Sequence, residues 1–354
     1  MNQLASDPAL VETVRVAQMQ PADVSRWDAF VSGCGEATFF HRAGWMRVIE
    51  EAFGHRTYFL YAEAGGRIEG VLPLAEVNSL LFGHTLAALP FCVYGGVAAI
   101  TERARHALDD AARALAERLR VDHLEYRNLA PRHPEWASTD LYVTFRKAID
   151  PEIEKNLLAI PRKQRAMVRK GIKAGLKSVN DEGVERFFAL YADNVHRHGT
   201  PALPKRYFAL LRRVFGDDCR VLTVLDPRGA AVSSVLSFYF RDEVLPYYAG
   251  DALAGRALAA NDFKYWELMR DSCARGCRVF DYGRSKRGTG SFDFKKNWGF
   301  EPQPLHYEYL LINAERVAEH NPLNPKYRLF IKLWQRMPLP LANLIGPHIV
   351  KSLG

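Results

Sequence analysis

Residues 231–250 read AVSSVLSFYFRDEVLPYYAG. The run Ala231–Tyr239 is a strand by its β-branched and aromatic content, Arg241-Asp242 is a turn, and Val244–Tyr248 is a second strand closed by Gly250. Downstream, Asn261–Arg275 is helical with Asn261 as its expected N-cap, and Arg278–Tyr282 (RVFDY) is a further strand. The same order occurs upstream. Gly70–Leu74 (GVLPL) and Thr85–Tyr94 read as strands about a Phe82-Gly83 turn, with Gly95-Gly96 ending the second. Thr101–Arg120 carries Leu108, Ala111, Ala112, Leu115 and Leu119 at helical spacing, and His123–Arg127 (HLEYR) is a strand. Tyr94 to Tyr126 spans 32 residues and Tyr248 to Tyr282 spans 34, so an internal duplication is expected. A hairpin followed by a helical crossover to another strand implies a mixed, largely antiparallel sheet flanked by helices, an α/β sandwich rather than a regular doubly wound fold.

Two such modules fit a chain of 354 residues. The expected division is 1–150, 151–314 and a basic tail, 315–354, with Ala148–Pro161 joining the halves and His306–Asn313 (HYEYLLIN) a last strand after the second module. Hydrophobic residues make up 48% and charged residues 25%, which excludes large-scale disorder. The net charge of +8 favours anionic partners such as RNA, phosphorylated lipids or nucleotide-linked sugars. Five scattered cysteines fit reduced thiols rather than a disulfide framework. The first residues lack the pattern of a signal peptide, and no stretch reaches the roughly 18 apolar residues of a membrane span. A cytoplasmic protein is expected, working either free or at the inner face of the cytoplasmic membrane.

Chemistry concentrates in 281–300, DYGRSKRGTGSFDFKKNWGF. Gly283, Gly288 and Gly290 free the backbone, while Arg284, Lys286, Arg287, Lys295 and Lys296 suit a phosphate or carboxylate at a strand end. A solvated basic loop has the same composition. No G-x-S-x-G elbow, Walker A loop, dinucleotide fingerprint or metal-ligand spacing is present, so no metal is expected. Lys155–Lys177 holds eight basic residues and no acidic one; Arg162, Arg165, Arg169 and Lys173 share a helical face that suits an RNA backbone or a diphosphate, or else only solvent on a helix packed through Leu158, Met167 and Ile172. The tail from Pro322 also lacks acids; Arg328, Lys332 and Arg336 share one face. It fits an anionic membrane surface, or a helix packed back onto the first domain.

The 281–300 stretch resembles the C-terminal motif of the Fem (FemAB-like) and BioF2-like acyltransferases of the GNAT superfamily. The resemblance is carried by Asp281-Tyr282-Gly283-Arg284-Ser285, Phe294-Lys295 and Trp298-Gly299, with Ile160–Leu176, Tyr247–Gly250 and Thr38–Glu50 also similar. With the tail, the chain is similar to the FemAB-like proteins of exosortase/PEP-CTERM systems, which implies a role near exopolysaccharide or cell-envelope biosynthesis. The resemblance implies an N-acyl or aminoacyl transferase acting on an amine of such a precursor. Lys295 and Tyr248 are its candidate catalytic residues. Arg284, Ser285, Lys286, Phe294, Trp298, Arg162, Arg165 and Arg169 are candidates for substrate binding. No tightly bound cofactor is implied; the co-substrate would be aminoacyl-tRNA or an acyl thioester of CoA or a carrier. The usual CoA loop is not evident, and Asp262 stands near the helix start where a pyrophosphate would otherwise be attracted. The rival readings are a CoA- or carrier-dependent N-acetyltransferase-like enzyme and a catalytically silent adaptor for RNA or membrane.

Overall fold

The computed structural model describes residues 13–79, 83–317 and 325–352, the side chains of 325–328 excepted. Phe82 of the expected turn, Pro322, and the side chains of Tyr327 and Arg328 lie outside that description.

The first half contains β1 (Arg15–Gln18), α1 (Val24–Gly33), α2 (Gly44–Phe53), β2 (Arg56–Ala64), β3 (Arg67–Ser79), β4 (Gly83–Ala87) and β5 (Ala98–Ala99). It continues through α3 (Glu102–Leu119), β6 (His123–Asn128) and three short strands, β7 (Ala137–Thr139), β8 (Tyr142–Thr144) and β9 (Arg146–Ala148). The second half opens with α4 (Ile153–Ala159), α5 (Arg162–Lys173), β10 (Lys177–Asp181), α6 (Glu185–Arg197) and α7 (Lys205–Phe215). Then come β11 (Cys219–Leu225), β12 (Ala231–Phe240), β13 (Glu243–Asp251), α8 (Ala260–Ala274) and β14 (Val279–Asp281). The chain continues with β15 (Ser285–Lys286), α9 (Gly290–Asn297), β16 (Gln303–Pro304), β17 (His306–Leu311), α10 (Pro325–Arg336) and α11 (Leu339–Val350).

The repeated order has a counterpart in strand pairing. β3 and β4 are antiparallel, and α3 then carries the chain across to β6, parallel to β4 through Thr85 and His123. β12 and β13 are antiparallel, and α8 likewise leads to β14, parallel to β13 through Glu243 and Val279. Thr101 caps α3, its side chain accepting from Ala104 N; α8 instead starts at Ala260, with Asn261 inside its first turn.

Each sheet is completed by a strand from the other half. The first runs β1-β2-β3-β4-β6-β17-β7 with β5 beside β3, and the second runs β10-β11-β12-β13-β14-β9. So β17, expected after the second module, pairs with β6 of the first, while β9 pairs with β14. Alternation identifies a strand but says nothing about which edge it joins. Aromatic packing joins the halves as well: Phe39 stacks on Phe238 at 4.4 Å, beside Trp45 and Phe215.

The two parallel seams differ. In the first, residues 88–97 fold back into the wedge: Ala88 N donates to Glu125 O at 2.8 Å, and Gly95 and Arg127 exchange backbone hydrogen bonds. The expected strand Thr85–Tyr94 therefore ends at Ala87. In the second seam the ladder holds only Glu243–Val279 and Val244–Phe280. Pro246 brings no N–H to a ladder, and a register shift opposite Leu236 and Ser237 leaves Tyr247 unpaired. The strands part there.

α5 packs on α8 through Val168 and through Gly171, whose missing side chain admits Phe263. The apolar residues expected beneath it point elsewhere: Leu158 is 63% exposed and Ile172 50%. The tail folds back onto the body, with Gly346 against Ala202 and Trp334 buried.

α6 lies directly on the end of β13. A Cβ at Gly250 would overlap the backbone of Leu190 and Tyr191, which has no flexible end to yield. Gly250→Ala is expected to cost about 1–3 kcal/mol or more in a denaturant titration. Gly33→Ala, where an added Cβ meets nothing within 4 Å, should cost far less.

Candidate active site

Between β14 and β15 the chain turns around a buried carboxylate. Asp281 has no accessible surface, and burial raises its pKa. Oδ2 accepts from Tyr94 Oη at 2.7 Å; Oδ1 accepts from Gly283 N at 2.7 Å and Thr144 Oγ1 at 3.2 Å. The Arg146 guanidinium stands 3.5 Å from Oδ2 and also holds Glu243. Gly283 follows with φ +63, a region that favours glycine.

That turn delivers Arg284. Its guanidinium lies 4.6 Å from the Tyr142 ring centroid and 5.7 Å from that of Tyr307, and Nη1 donates to Tyr307 Oη at 3.2 Å. Lys286 Nζ sits over the same Tyr142 ring at 5.5 Å. Arg284 is exposed to solvent although protein surrounds it closely; the accessible edge governs what can bind, and the crowding governs how strongly charge is felt. Its contacts are rings and a phenol, with no carboxylate in salt-bridge range among the described residues. Tyr307's other face meets Arg127, whose Nη1 donates to Cys92 O at 2.6 Å.

Behind the turn lies Lys295, in the last turn of α9, a helix capped by Thr289. Nζ donates to Gly283 O at 2.9 Å and Arg284 O at 3.0 Å. Burial pushes its pKa down to about 7; the Asp281 charge opposes that shift and Arg284 adds to it. Expected as a surface or cleft lysine, it is instead a nearly buried amine tied to the backbone of the arginine in front of it.

Tyr247, at the parted end of β13, lies near Arg284, and no hydrogen bond or ring contact among the described residues joins Tyr248 to Arg284 or Lys295. Tyr247 Oη donates to Phe91 O at 2.9 Å, so the loop filling the first seam also braces the second. Tyr248 is half-buried; its hydroxyl pairs with Tyr207 Oη at 3.0 Å among Tyr191 and Phe208. Burial first, and then Tyr207, raises its pKa well above 10, so it remains a phenol able to donate rather than a base.

The other sequence candidates divide. Ser285 pairs through its backbone with Val143, and its buried Oγ has no partner among the described residues. Phe294 and Trp298 pack with Tyr265 and Tyr282, and Trp298 Nε1 donates to Asp262 at 2.9 Å; both rings belong to the second core. On α5, Arg165 donates to Leu158 O, while Arg162 and Arg169 are exposed. No hydrogen bond or ion pair among the described residues joins these arginines to the Arg284 turn. Tyr142 and Tyr307 are not singled out by the sequence, and Asp281 enters there only as part of the motif, without a role. Alternation in LYVTF and HYEYLL marks the two tyrosines as strand residues, but only the cross-half pairings bring them to one place. No group of three metal-ligating side chains occurs among the described residues.

Residues 162–296 match the protein-family model described as an acetyltransferase (GNAT) domain. No curated protein matches the chain. Among solved structures, FemX superposes with a TM-score of 0.67 at 14% identity, covering 90% of this chain and 100% of that one. The C-terminal domain of a putative lysylphosphatidylglycerol synthetase from Agrobacterium fabrum gives 0.56 at 13% identity, covering 81% and 91%. A tandem GNAT protein from the clavulanic acid biosynthesis pathway gives 0.53 at 14% identity, covering 84% and 98%. The chain thus shares the fold of FemX and of the tandem GNAT protein, and the stretch matched by the acetyltransferase (GNAT) domain model includes β13, the Arg284 turn and Lys295.

Asp281 is the joint on which this arrangement hangs. Asp281→Ala removes the acceptor of two buried hydroxyls and a backbone amide beside the half-buried Arg146. A loss of about 3–5 kcal/mol in chemical denaturation is expected. Asp110→Ala, on the exposed face of α3, should lie within about 0.5 kcal/mol of the parent.

Proposed function

We propose that the chain transfers an acyl or aminoacyl group from an activated ester or thioester to an amine on an anionic cell-envelope or exopolysaccharide precursor. The reading rests on one observation above the rest. Arg284 is an accessible cation without a carboxylate partner among the described residues, held between Tyr142 and Tyr307 beside the parted seam. Such a guanidinium suits a phosphate or carboxylate, and Lys286 on the same ring adds a second charge, as a diphosphate-linked acceptor would need.

In the reaction the acceptor amine attacks the acyl carbonyl, and an N–C bond forms. The C–O or C–S bond to the donor breaks, and the leaving oxygen or sulfur keeps the electron pair and takes the proton shed by the amine. The oxyanion in between needs fixed positive charge. Lys295 is the residue assigned to that need. Its ammonium is poorly screened and held by two carbonyls, so its field acts on the Arg284 turn without reorganisation. The Tyr248 phenol is a hydrogen-bond donor for the acyl carbonyl.

The donor follows from two further features. Asp262 stands in the first turn of α8, and Lys264 near that end is consumed by Asp251 at 3.0 Å, which leaves a poor cradle for a CoA pyrophosphate. Arg162, Lys163, Arg169, Lys170 and Lys173 line the exposed side of α5 with no ion pair among the described residues, which favours a polyanionic donor such as aminoacyl-tRNA. An acyl-CoA or carrier thioester is the alternative. Action on an envelope precursor places the work at the inner face of the cytoplasmic membrane.

Steady-state rates with a panel of charged tRNAs, acyl-CoAs and acyl carriers test the reading. With the accepted donor, Lys295→Met should lower turnover by about 10²–10³, Lys296→Met should be near neutral, and Arg284→Gln should act mainly on KM. Lys295 loses its charge as pH rises through about 7, so kcat/KM of the parent should fall over that range. That limb should vanish in Lys295→Met. A parent rate that rises through the same range would make the neutral amine the working form. Equal, small effects at 295 and 296, or no turnover with any donor, would leave the silent adaptor as the better reading.

A further inference from the structure

The tail is bound to the body through one side only. On α10, Trp334 is buried and Ile331 presses on Gly199; on α11, Ala342 is buried and Gly346 lies on Ala202. The opposite side of α10 presents Leu329, Lys332, Leu333 and Arg336, spaced i, i+3, i+4 and i+7, with Leu329 67% and Leu333 58% exposed. The outward side of α11 presents Leu341, Leu344 and His348, with Leu344 68% exposed. A helix that has already buried its packing face has no folding reason for a second leucine row in water. Five of the eleven large hydrophobic residues exposed among the described residues belong to these two helices.

Beside Leu344 a cavity of about 350 Å³ opens between the tail and the ends of α2 and α7. Arg206, His348 and Lys351 line it together with Phe53, Pro204 and Pro347. Arg206 donates to Ala52 O at 3.1 Å and, like Lys351, forms no ion pair among the described residues. Residues 325–354 contain no aspartate or glutamate.

The geometry points to the outward side of α10 and α11 as a docking face for an anionic lipid bilayer, with the leucines at the acyl boundary and the cavity taking a lipid phosphate. Leucines interleaved with lysine and arginine match an interfacial helix, and no helix of the described residues is long and apolar enough to cross the membrane. A second copy is the poorer occupant, because a two-fold contact would set Lys332 and Arg336 against their own equivalents without a carboxylate to offset them. An RNA would leave the leucines unused. The inference places the proposed acyl transfer at a lipid surface, yet it rests on the tail alone, and its test needs no turnover.

The full chain is floated with vesicles of phosphatidylglycerol mixed with phosphatidylcholine, and with phosphatidylcholine alone. Binding to the mixed vesicles, weakened by salt and slight on the neutral ones, is expected. Leu333→Glu with Leu344→Glu should weaken it on the order of a hundredfold, about tenfold for each leucine kept in water. Lys332→Glu with Arg336→Glu should weaken it about tenfold or more. Both pairs alter exposed positions, so melting temperatures should stay within a few degrees of the parent. No binding, equal binding to neutral vesicles, or a leucine variant that floats like the parent overturns the inference. So does a concentration-dependent dimer in light scattering that the leucine variant abolishes, which would assign the face to a second copy.

Discussion

The carboxylate of Asp281, sealed from water at the end of β14, holds Tyr94 from one half of the chain and Thr144 from the short strands between the halves. It also takes the amide of Gly283, which fixes the turn that carries Arg284 outward. A buried carboxylate is tolerable only when its lone pairs are filled, and here each oxygen has a donor and Arg146 stands near. The cation cluster depends on that joint. Lys295 grips the carbonyls of the same turn, and the Asp281 charge partly offsets the burial that depresses its pKa.

The two halves repeat one plan but use it differently. In the first, residues 88–97 close the seam at the cost of positive φ at Leu89 and Phe91, and Gly95 and Gly96 permit the close approach. In the second, the β13–β14 ladder holds only two pairs, and Pro246 and the unpaired Tyr247 follow where it ends. The closed seam is not idle, for its loop accepts the Tyr247 proton at Phe91 O and the Arg127 proton at Cys92 O. The exchanged strands make this support reciprocal: β17 brings Tyr307 to the arginine, and β9 flanks β14.

Local order was legible in the sequence wherever neighbours in the chain decide it. The hairpin at 231–250, the capped helix after Thr101 and the basic helix α5 all follow from period and turn chemistry. The crowding of glycines and basic residues in 281–300 was legible too, but not its internal division. Phe294 and Trp298 are packing residues there, while Asp281 meets Tyr94 from 187 positions away and Thr144 from 137. Period and composition carry no record of contacts at that range. The exposure of Leu158 and Ile172 was missed for a related reason: helical spacing ranks faces by hydrophobicity, whereas α5 was seated by the fit of Gly171 on Phe263.

The account depends on an amine at position 295 that is buried, held by two carbonyls and felt as charge at the Arg284 turn. The direct measurement is an NMR titration of the Lys295 side chain in ¹⁵N-lysine-labelled protein, assigned by loss of its signal in Lys295→Met. A pKa of about 7 in the parent is the expected result, with a still lower value in Asp281→Asn, where the offsetting negative charge is gone. A value near the ordinary 10.4 of a solvated lysine, unmoved by Asp281→Asn, would contradict it.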